Sequence, residues 1–148
     1  MYVYIAAPLF NEMERERNTK FNKQLKKLGF RTYLPQEDGG VAYDMIKDGK
    51  MSKLEVRQYL FDTDYKAVQE SDIIICLLDG RTPDEGTCIE LGMAYAMGKI
   101  CIAYKTDSRA MDQNGDNNVM IDGCFNHKIY TNMKDLTKYL LEVKKWNS

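Results

Sequence analysis

The sequence has almost no net charge, a single histidine and no long apolar run, and each shortage excludes a class of protein. Its 148 residues include 21 Lys and Arg against 22 Asp and Glu. The chain therefore lacks the positive excess that drives non-specific nucleic-acid binding, and we expect no nucleic-acid partner. The longest apolar stretch, residues 2–10, is far shorter than the ~18 residues of a membrane span. Since no basic residue precedes it, we expect neither a membrane partner nor a secretory signal.

Cysteine and histidine are too sparse and too scattered to indicate a metal centre. The four cysteines have no CxxC spacing, and three of them lie in apolar surroundings. We therefore expect reduced core residues of a cytoplasmic protein. His127 is the single histidine and has no cluster of ligands around it, so we expect no structural zinc site.

Apolar segments alternate with helical patterns along the whole chain, whose length is typical of one domain. The predicted strands are residues 2–7, 30–34, 72–78, 100–104 and 128–130. The predicted helices are residues 12–28, 52–70, 87–97 and 133–145, with loops over 36–50 and 105–118. This order predicts a single α/β domain with a doubly wound, flavodoxin-like, mostly parallel five-stranded sheet and helices on both faces.

In such a sheet, ligands bind beyond the carboxyl ends of the strands, which directs attention to the segment 79–92. This segment joins the third predicted strand to the next helix and holds glycines that could approach a phosphate. However, it contains neither a Walker nor a dinucleotide fingerprint, and its acidic side chains are not accompanied by a lysine. The segment therefore favours a neutral polyhydroxy ligand or a developing cation over an anion.

Glu90 has two interpretations on spacing alone. Thr87 and Glu90 form a T-x-x-E capping box, in which Glu90 would fold back on the Thr87 N–H. Alternatively, Glu90 is a carboxylate held at a helix start, where the helix dipole keeps it ionised and nucleophilic. The spacing leaves both interpretations open.

The apolar positions Leu60, Phe61 and Val68 mark the inward stripe of their predicted helix. Asp64 falls in this stripe, four residues after Leu60 and four before Val68. Asp62, by contrast, should face water. An inward carboxylate is costly, and its pKa tends to rise, so Asp64 could act as a general acid. If the helix ended early, Asp64 would instead be solvated.

Four motifs, taken in order, resemble the nucleoside 2-deoxyribosyltransferases. They are YIAAPLF at residues 4–10, LPQ at 34–36, SDII at 71–74 and DEGTCIELG at 84–92. The last motif corresponds to the signature D-x-G-[TL]-x-x-E-[LV]-G. The resemblance extends from residue 2 to about residue 125, most of the chain.

The resemblance implies catalytic roles for three residues. Glu90 would attack C1′ of a 2′-deoxynucleoside and form a 2-deoxyribosyl ester, which a second base resolves with net retention. Asp64 would protonate the departing base and deprotonate the incoming one. Tyr4 would hydrogen-bond the nucleophile, although it could also be an ordinary strand aromatic. This chemistry requires no cofactor.

The resemblance also implies substrate-binding roles for four residues. Asp84 would bind sugar hydroxyls, notably the 5′-OH, Gln36 would contact the nucleobase and Phe10 would form a wall of the pocket. Asn118, preferred over its neighbour Asn117, would enter the site of an adjacent subunit. The expected partners are therefore 2′-deoxynucleosides, free nucleobases and further copies of the chain, in a homo-oligomer with a shared active site.

Two alternative functions stay open at this point. Related nucleoside 5′-monophosphate N-glycosidases share a G-x-x-E-[LV]-G segment, but tend to carry a neutral donor six residues before the nucleophile, where Asp84 stands here. A carboxylate at that position would repel a phosphate, which favours a free nucleoside. The other alternative is a non-catalytic nucleoside-binding module, against which an inward Asp64 argues.

Overall fold

The computed structural model describes residues 1–109 and 115–146, and its described part contains one five-stranded sheet. The strands are β1 (Tyr2–Ala6), β2 (Arg31–Tyr33), β3 (Ile73–Leu77), β4 (Ile100–Tyr104) and β5 (Ile129–Tyr130). All neighbouring strands pair in parallel, in the order β2-β1-β3-β4-β5. The chain thus starts at an inner strand and winds in both directions, which confirms the predicted doubly wound, flavodoxin-like α/β sheet.

Helices cover both faces of this sheet, as predicted. They are α1 (Glu12–Lys27), α2 (Ala42–Asp48), α3 (Lys53–Glu70), α4 (Glu85–Ala96), α5 (Val119–Cys124) and α6 (Met133–Trp146). One buried cluster joins the sheet to α1 and α6 through residues such as Phe21, Leu25, Leu136 and Leu140. The other joins it to α3 and α4 through residues that include Tyr4, Tyr33, Val68 and Leu91. Every residue of the central strand β3 is buried, because both of its faces are covered.

The loop predicted over residues 36–50 is wrong, since this segment is ordered into two short elements. A π-helical turn (Pro35–Gly39) follows β2, and α2 comes after it. The Asp38 carboxylate accepts a hydrogen bond from the Leu34 N–H at 2.7 Å, which closes the turn. Gly49, with φ of 73°, ends α2 in the left-handed conformation. Asp38 therefore stabilises the π-helical turn, and Gly40 and Gly49 end the two elements.

The other expected loop, residues 105–118, lies partly outside the described residues, which omit 110–114. The short helix α5 directly after it was missed. Asn118 is its N-cap, and the side chain accepts a hydrogen bond from the Met120 N–H at 2.9 Å. In the described part of the chain, no helix has both the length and the apolar character needed to span a bilayer.

Candidate active site

Two tyrosines lie side by side on adjacent strands at the centre of the candidate site. The parallel register pairs Tyr4 of β1 with Tyr33 of β2. Their rings stack with centroids 5.4 Å apart and planes 15° from parallel, and both side chains are buried against α3 and α4. Because successive strand residues alternate between faces, this pairing sends both phenols to the same side of the sheet.

Glu90 extends from α4 to the first of these tyrosines. The Tyr4 hydroxyl donates a hydrogen bond to Glu90 Oε1 at 2.7 Å. The interpretation of Thr87 and Glu90 as a capping box is wrong, because α4 begins two residues earlier than predicted and its N-cap is Asp84. The Asp84 Oδ2 atom accepts the bond from the Thr87 N–H, at 2.9 Å. Glu90 is thereby left to point towards the sheet.

The expectation that the helix dipole keeps Glu90 ionised is also wrong. Glu90 is the sixth residue of α4, beyond the first turn, where the dipole has its effect. Burial raises the pKa of Glu90 to about 8, while the Tyr4 hydrogen bond acts in the opposite direction. The negative charges of Asp64 and Asp84 raise the pKa of Glu90 further. This carboxyl group therefore retains its proton more strongly than an ordinary glutamate.

Asp64 occupies the inward position that periodicity predicts, whereas Phe61, predicted to face inward beside it, is 57% exposed. The helix α3 continues to Glu70, so an early helix end is excluded, and Asp62 is exposed as expected. The Tyr33 hydroxyl donates a hydrogen bond to Asp64 Oδ1 at 2.8 Å. Burial raises the pKa of Asp64, and the Tyr33 hydrogen bond partly offsets this increase.

The two carboxylates line one pocket between α3 and α4. Its volume is about 190 Å³, and its lining residues are Phe61, Asp64, Tyr65, Val68, Gly86, Ile89, Glu90 and Met93. Because the pKa values of both acids are raised, the pair holds a proton more readily than two exposed carboxylates would. Such a pair can supply a proton from one member and a nucleophilic oxygen from the other.

The remaining predicted binding residues do not line this pocket. Asp84 nevertheless influences the pocket, because its negative charge raises the pKa of Glu90. One of its carboxylate oxygens caps α4. Phe10 follows β1 and is 76% exposed. Asn118 is exposed at the start of α5. The roles of these side chains towards a ligand stay predictions.

Gln36 is held by α1 rather than directed into the pocket. Its Nε2 atom donates to the Arg15 carbonyl at 2.8 Å and to Thr19 Oγ1 at 3.2 Å. Its Oε1 atom accepts from Asn18 Nδ2 at 3.0 Å. In this structure Gln36 therefore anchors the π-helical turn to α1, and a contact with the nucleobase stays a prediction.

Sequence reasoning missed Tyr33, although a signal for it exists. The signal is that Tyr33 ends β2 and directly precedes the LPQ motif. Tyr4 is the middle residue of β1, however, so the register that pairs the two tyrosines is given only by the structure. Among the residues that the structure describes, no group of three or more His, Cys, Asp or Glu is arranged to hold a metal ion.

Comparisons with known proteins point to a single family. A family model described as nucleoside 2-deoxyribosyltransferase matches residues 3–135. A nucleoside deoxyribosyltransferase from Limosilactobacillus fermentum is 30% identical over 121 residues, which cover 76% of this chain and 71% of the relative.

Solved structures of several proteins share the fold. A 2-deoxyribosyltransferase from Bacillus psychrosaccharolyticus superposes with a TM-score of 0.75 at 24% identity, over 93% of this chain and 90% of that one. A CMP N-glycosidase from Clostridium botulinum gives a TM-score of 0.57 at 23% identity, over 95% and 98%. At these identities the two structures support the fold, whereas the family model covers most of the sequence. The chain belongs to the nucleoside 2-deoxyribosyltransferase family and is an enzyme of the pentosyltransferase class.

Proposed function

We propose that this enzyme transfers 2-deoxyribose from one nucleobase to another, with Glu90 as nucleophile and Asp64 as general acid and base. The observation that carries the proposal is the hydrogen bond of 2.7 Å from the Tyr4 hydroxyl to Glu90, in the pocket that Asp64 also lines. The substrates are 2′-deoxynucleosides and free nucleobases.

The reactive form of the pair is the one in which Asp64 holds the proton and Glu90 is ionised. In the first step, an oxygen of this ionised Glu90 forms a bond to C1′ while the bond between C1′ and the base nitrogen breaks. Positive charge develops at C1′, and the Glu90 carboxylate stabilises it. Protonated Asp64 gives its proton to the departing base, which leaves neutral. Tyr4 holds one oxygen of Glu90, so the carboxylate is oriented before the substrate reacts.

In the second step, a nitrogen of the incoming base attacks C1′, and the ester bond to Glu90 breaks. Asp64, now ionised, accepts the proton that the incoming base loses. Each step inverts the configuration at C1′, so two steps give net retention. Both protein groups return to their starting state, and water competes as an acceptor.

Asp84 supports a free nucleoside as substrate. Its charge acts on Glu90, so a 5′-phosphate near Asp84 would face two carboxylates. Two like charges about 4 Å apart repel by ~4 kcal/mol at an effective dielectric constant of 20. We therefore expect turnover of deoxyadenosine to exceed that of its 5′-monophosphate. The opposite preference would favour the N-glycosidase alternative.

Base exchange tests the proposal. The enzyme is incubated with a labelled deoxynucleoside and a different free base, and the products are separated and their anomeric configuration is determined. We expect a new β-deoxynucleoside to form faster than free deoxyribose. Release of deoxyribose alone, or a product of inverted configuration, would contradict the two-step transfer.

We further propose that Asn118 completes the site of a neighbouring copy, so the enzyme is a homo-oligomer. Asn118 is exposed, and it precedes Val119 and Met120, which are 70% and 77% exposed. Exposed apolar side chains beside a polar one are typical of a contact surface between subunits.

Co-expression of two inactive variants tests the shared site. Glu90→Gln and Asn118→Ala subunits should each be impaired alone and should recover activity together, because a mixed assembly contains one site with both native residues. Absence of recovery in an assembly shown by sedimentation to be mixed would exclude a contribution from Asn118 across subunits.

A further inference from the structure

The hydrogen bond between Tyr33 and Asp64 distinguishes the two oxygens of the general acid. The Tyr33 hydroxyl donates to Oδ1, and Oδ2 is the oxygen that this bond leaves for the proton. We propose that Tyr33 and Gly39 are positioning residues that fix Asp64 so that its proton is carried on Oδ2 in both steps. This inference rests on the proposed function and adds two residues to it.

The backbone of Gly39 lies beside the Oδ1 atom of Asp64 and leaves no room there for a side chain. A Cβ atom placed on Gly39 would lie 2.7 Å from the Tyr33 hydroxyl oxygen and 3.1 Å from Asp64 Oδ1. The first distance is shorter than side chains tolerate, so any larger residue must displace the Tyr33 hydroxyl. Gly39 does not have the left-handed backbone that favours glycine, and it is therefore required for space rather than for conformation.

The turn that carries Gly39 is held on both sides and cannot easily retreat. The Glu37 and Asp38 N–H groups each donate to the Leu34 carbonyl at 2.9 Å. Gly40 N–H donates to the Pro35 carbonyl at 2.8 Å. On the outer side, Gln36 ties the turn to α1. The Gln36 contacts described above thus have a consequence at the acid, because they keep Gly39 against Tyr33 and Asp64.

The same bond suits both protonation states of Asp64. When Oδ2 carries the proton, Oδ1 is a carbonyl oxygen and accepts from Tyr33. When Asp64 is ionised, Oδ1 accepts from Tyr33 as before. The acid therefore need not rotate between giving a proton to the departing base and taking one from the incoming base.

The groups that interact with Asp64 are Tyr4 of β1, Tyr33 of β2 and Glu90 of α4. Two further acids act one contact away, since the charge of Asp38 acts on Tyr33 and that of Asp84 acts on Glu90. The Tyr33 hydroxyl favours the ionised form of Asp64, whereas burial opposes it. Loss of that hydroxyl should therefore raise the pKa of Asp64 as well as release its orientation.

Tyr33→Phe tests the proposal through the pH profile. Base exchange is followed from about pH 5 to pH 10, and formation of a deoxyribosyl adduct in the absence of acceptor is followed in parallel. We expect kcat to fall roughly tenfold, and we expect the limb of the adduct-formation profile that Asp64→Asn abolishes to move upwards by as much as about one pH unit. The matched control is Tyr95→Phe, which removes an exposed hydroxyl at the end of α4. A uniform loss of rate with an unmoved limb would overturn the proposal.

Gly39→Ala and the double variant Tyr33→Phe/Gly39→Ala complete a double-mutant cycle with Tyr33→Phe. In the native background the new methyl group displaces the Tyr33 hydroxyl, so we expect a loss of kcat at least as large as that of Tyr33→Phe. In the Tyr33→Phe background the closer of the two contacts is gone and only the contact of 3.1 Å with Asp64 Oδ1 is left, so the same alanine should cost less than it does in the native background. Additive losses would show that Gly39 acts independently of Tyr33 and would overturn its assigned role.

Failure of this inference is distinguishable from failure of the proposed function. If the native enzyme exchanges bases and Asp64→Asn does not, but the limb is unmoved in Tyr33→Phe, only the role of Tyr33 is wrong. If Asp64→Asn is as active as the native enzyme, the proposed function itself is wrong.

Discussion

Two polar clusters in this fold differ in how they compensate the negative charge of their carboxylates. At the start of α5, the Asn117 side chain donates to Asp122 at 2.8 Å and accepts from the Lys105 ammonium at 3.0 Å. This α5 cluster (Lys105, Asn117 and Asp122) balances an acid with a base. In the pocket, by contrast, Asp64 and Glu90 are both acids, and each accepts one hydrogen bond from a tyrosine.

The difference separates a structural cluster from a reactive one. The α5 cluster satisfies its charges, and all three residues are buried. The pocket holds two like charges and raises the pKa of each, a cost in stability that is typical of catalytic groups. Variants of the two clusters should therefore differ in kind: those of the pocket should lose activity, and those of the α5 cluster should lose stability.

The largest expected effect is that of Glu90→Gln. Glutamine preserves shape and can still accept from Tyr4, but it cannot form the ester. We expect base exchange to fall by roughly 10⁴-fold or more. The control is Glu85→Gln, an exposed acid of the same helix, for which exchange should stay within about twofold. Retention of exchange by purified Glu90→Gln would show that position 90 is not the nucleophile.

Asp64→Asn should have the next largest effect. General acid and base catalysis is worth about 10²–10⁴-fold, so exchange should fall within that range. The loss should be smallest for donors whose base departs readily without a proton. Asp62→Asn removes an exposed charge two residues away and is the matched control. An equal loss for every leaving base would indicate a structural role for Asp64.

The pH dependence of stability should show the free-energy cost of ionising Glu90 in the folded protein. Its pKa is raised in the folded protein to about 8, above its ordinary value of 4.5, so folding favours the protonated form. The free energy of unfolding should therefore decrease as pH rises from about 4.5 to about 8, with the full penalty above that range. Urea unfolding should find Glu90→Gln more stable than the native enzyme by up to a few kcal/mol at pH 8.5, with a smaller difference at pH 5. A difference that does not change with pH would contradict this.

The smallest effect is expected for the α5 cluster, where a substitution should lower the free energy of unfolding, whereas Glu90→Gln should raise it. Lys105→Met leaves the Asn117 carbonyl oxygen without its donor at residues only 8% and 6% exposed. The free energy of unfolding should fall by about 1–3 kcal/mol, measured by urea unfolding at pH 7. Unchanged stability in Lys105→Met would mean that the buried ammonium contributes no net stabilisation.

Some of this site follows from the sequence because local patterns determine it. The continuous apolar run of β3 predicts a central strand, and helical periodicity alone places Asp64 inward. Tyr33 and Asp64 are 31 positions apart, however, and their contact depends on how β2 and α3 pack. The raised pKa of Glu90 likewise arises from burial and from Asp64, which no local pattern encodes. The sequence of residues 36–50 does not distinguish a loop from two short helical elements, because the same polar and glycine residues occur in loops and at helix ends.

Mass spectrometry of the intact enzyme and its peptides tests the central claim most directly. The enzyme is mixed with a deoxynucleoside in the absence of an acceptor base, quenched and digested. We expect one added deoxyribosyl group on the peptide that contains Glu90, lost on addition of a free base and absent from Glu90→Gln. An enzyme that exchanges bases while it stays unmodified, or that carries the group on another residue, would contradict the covalent mechanism.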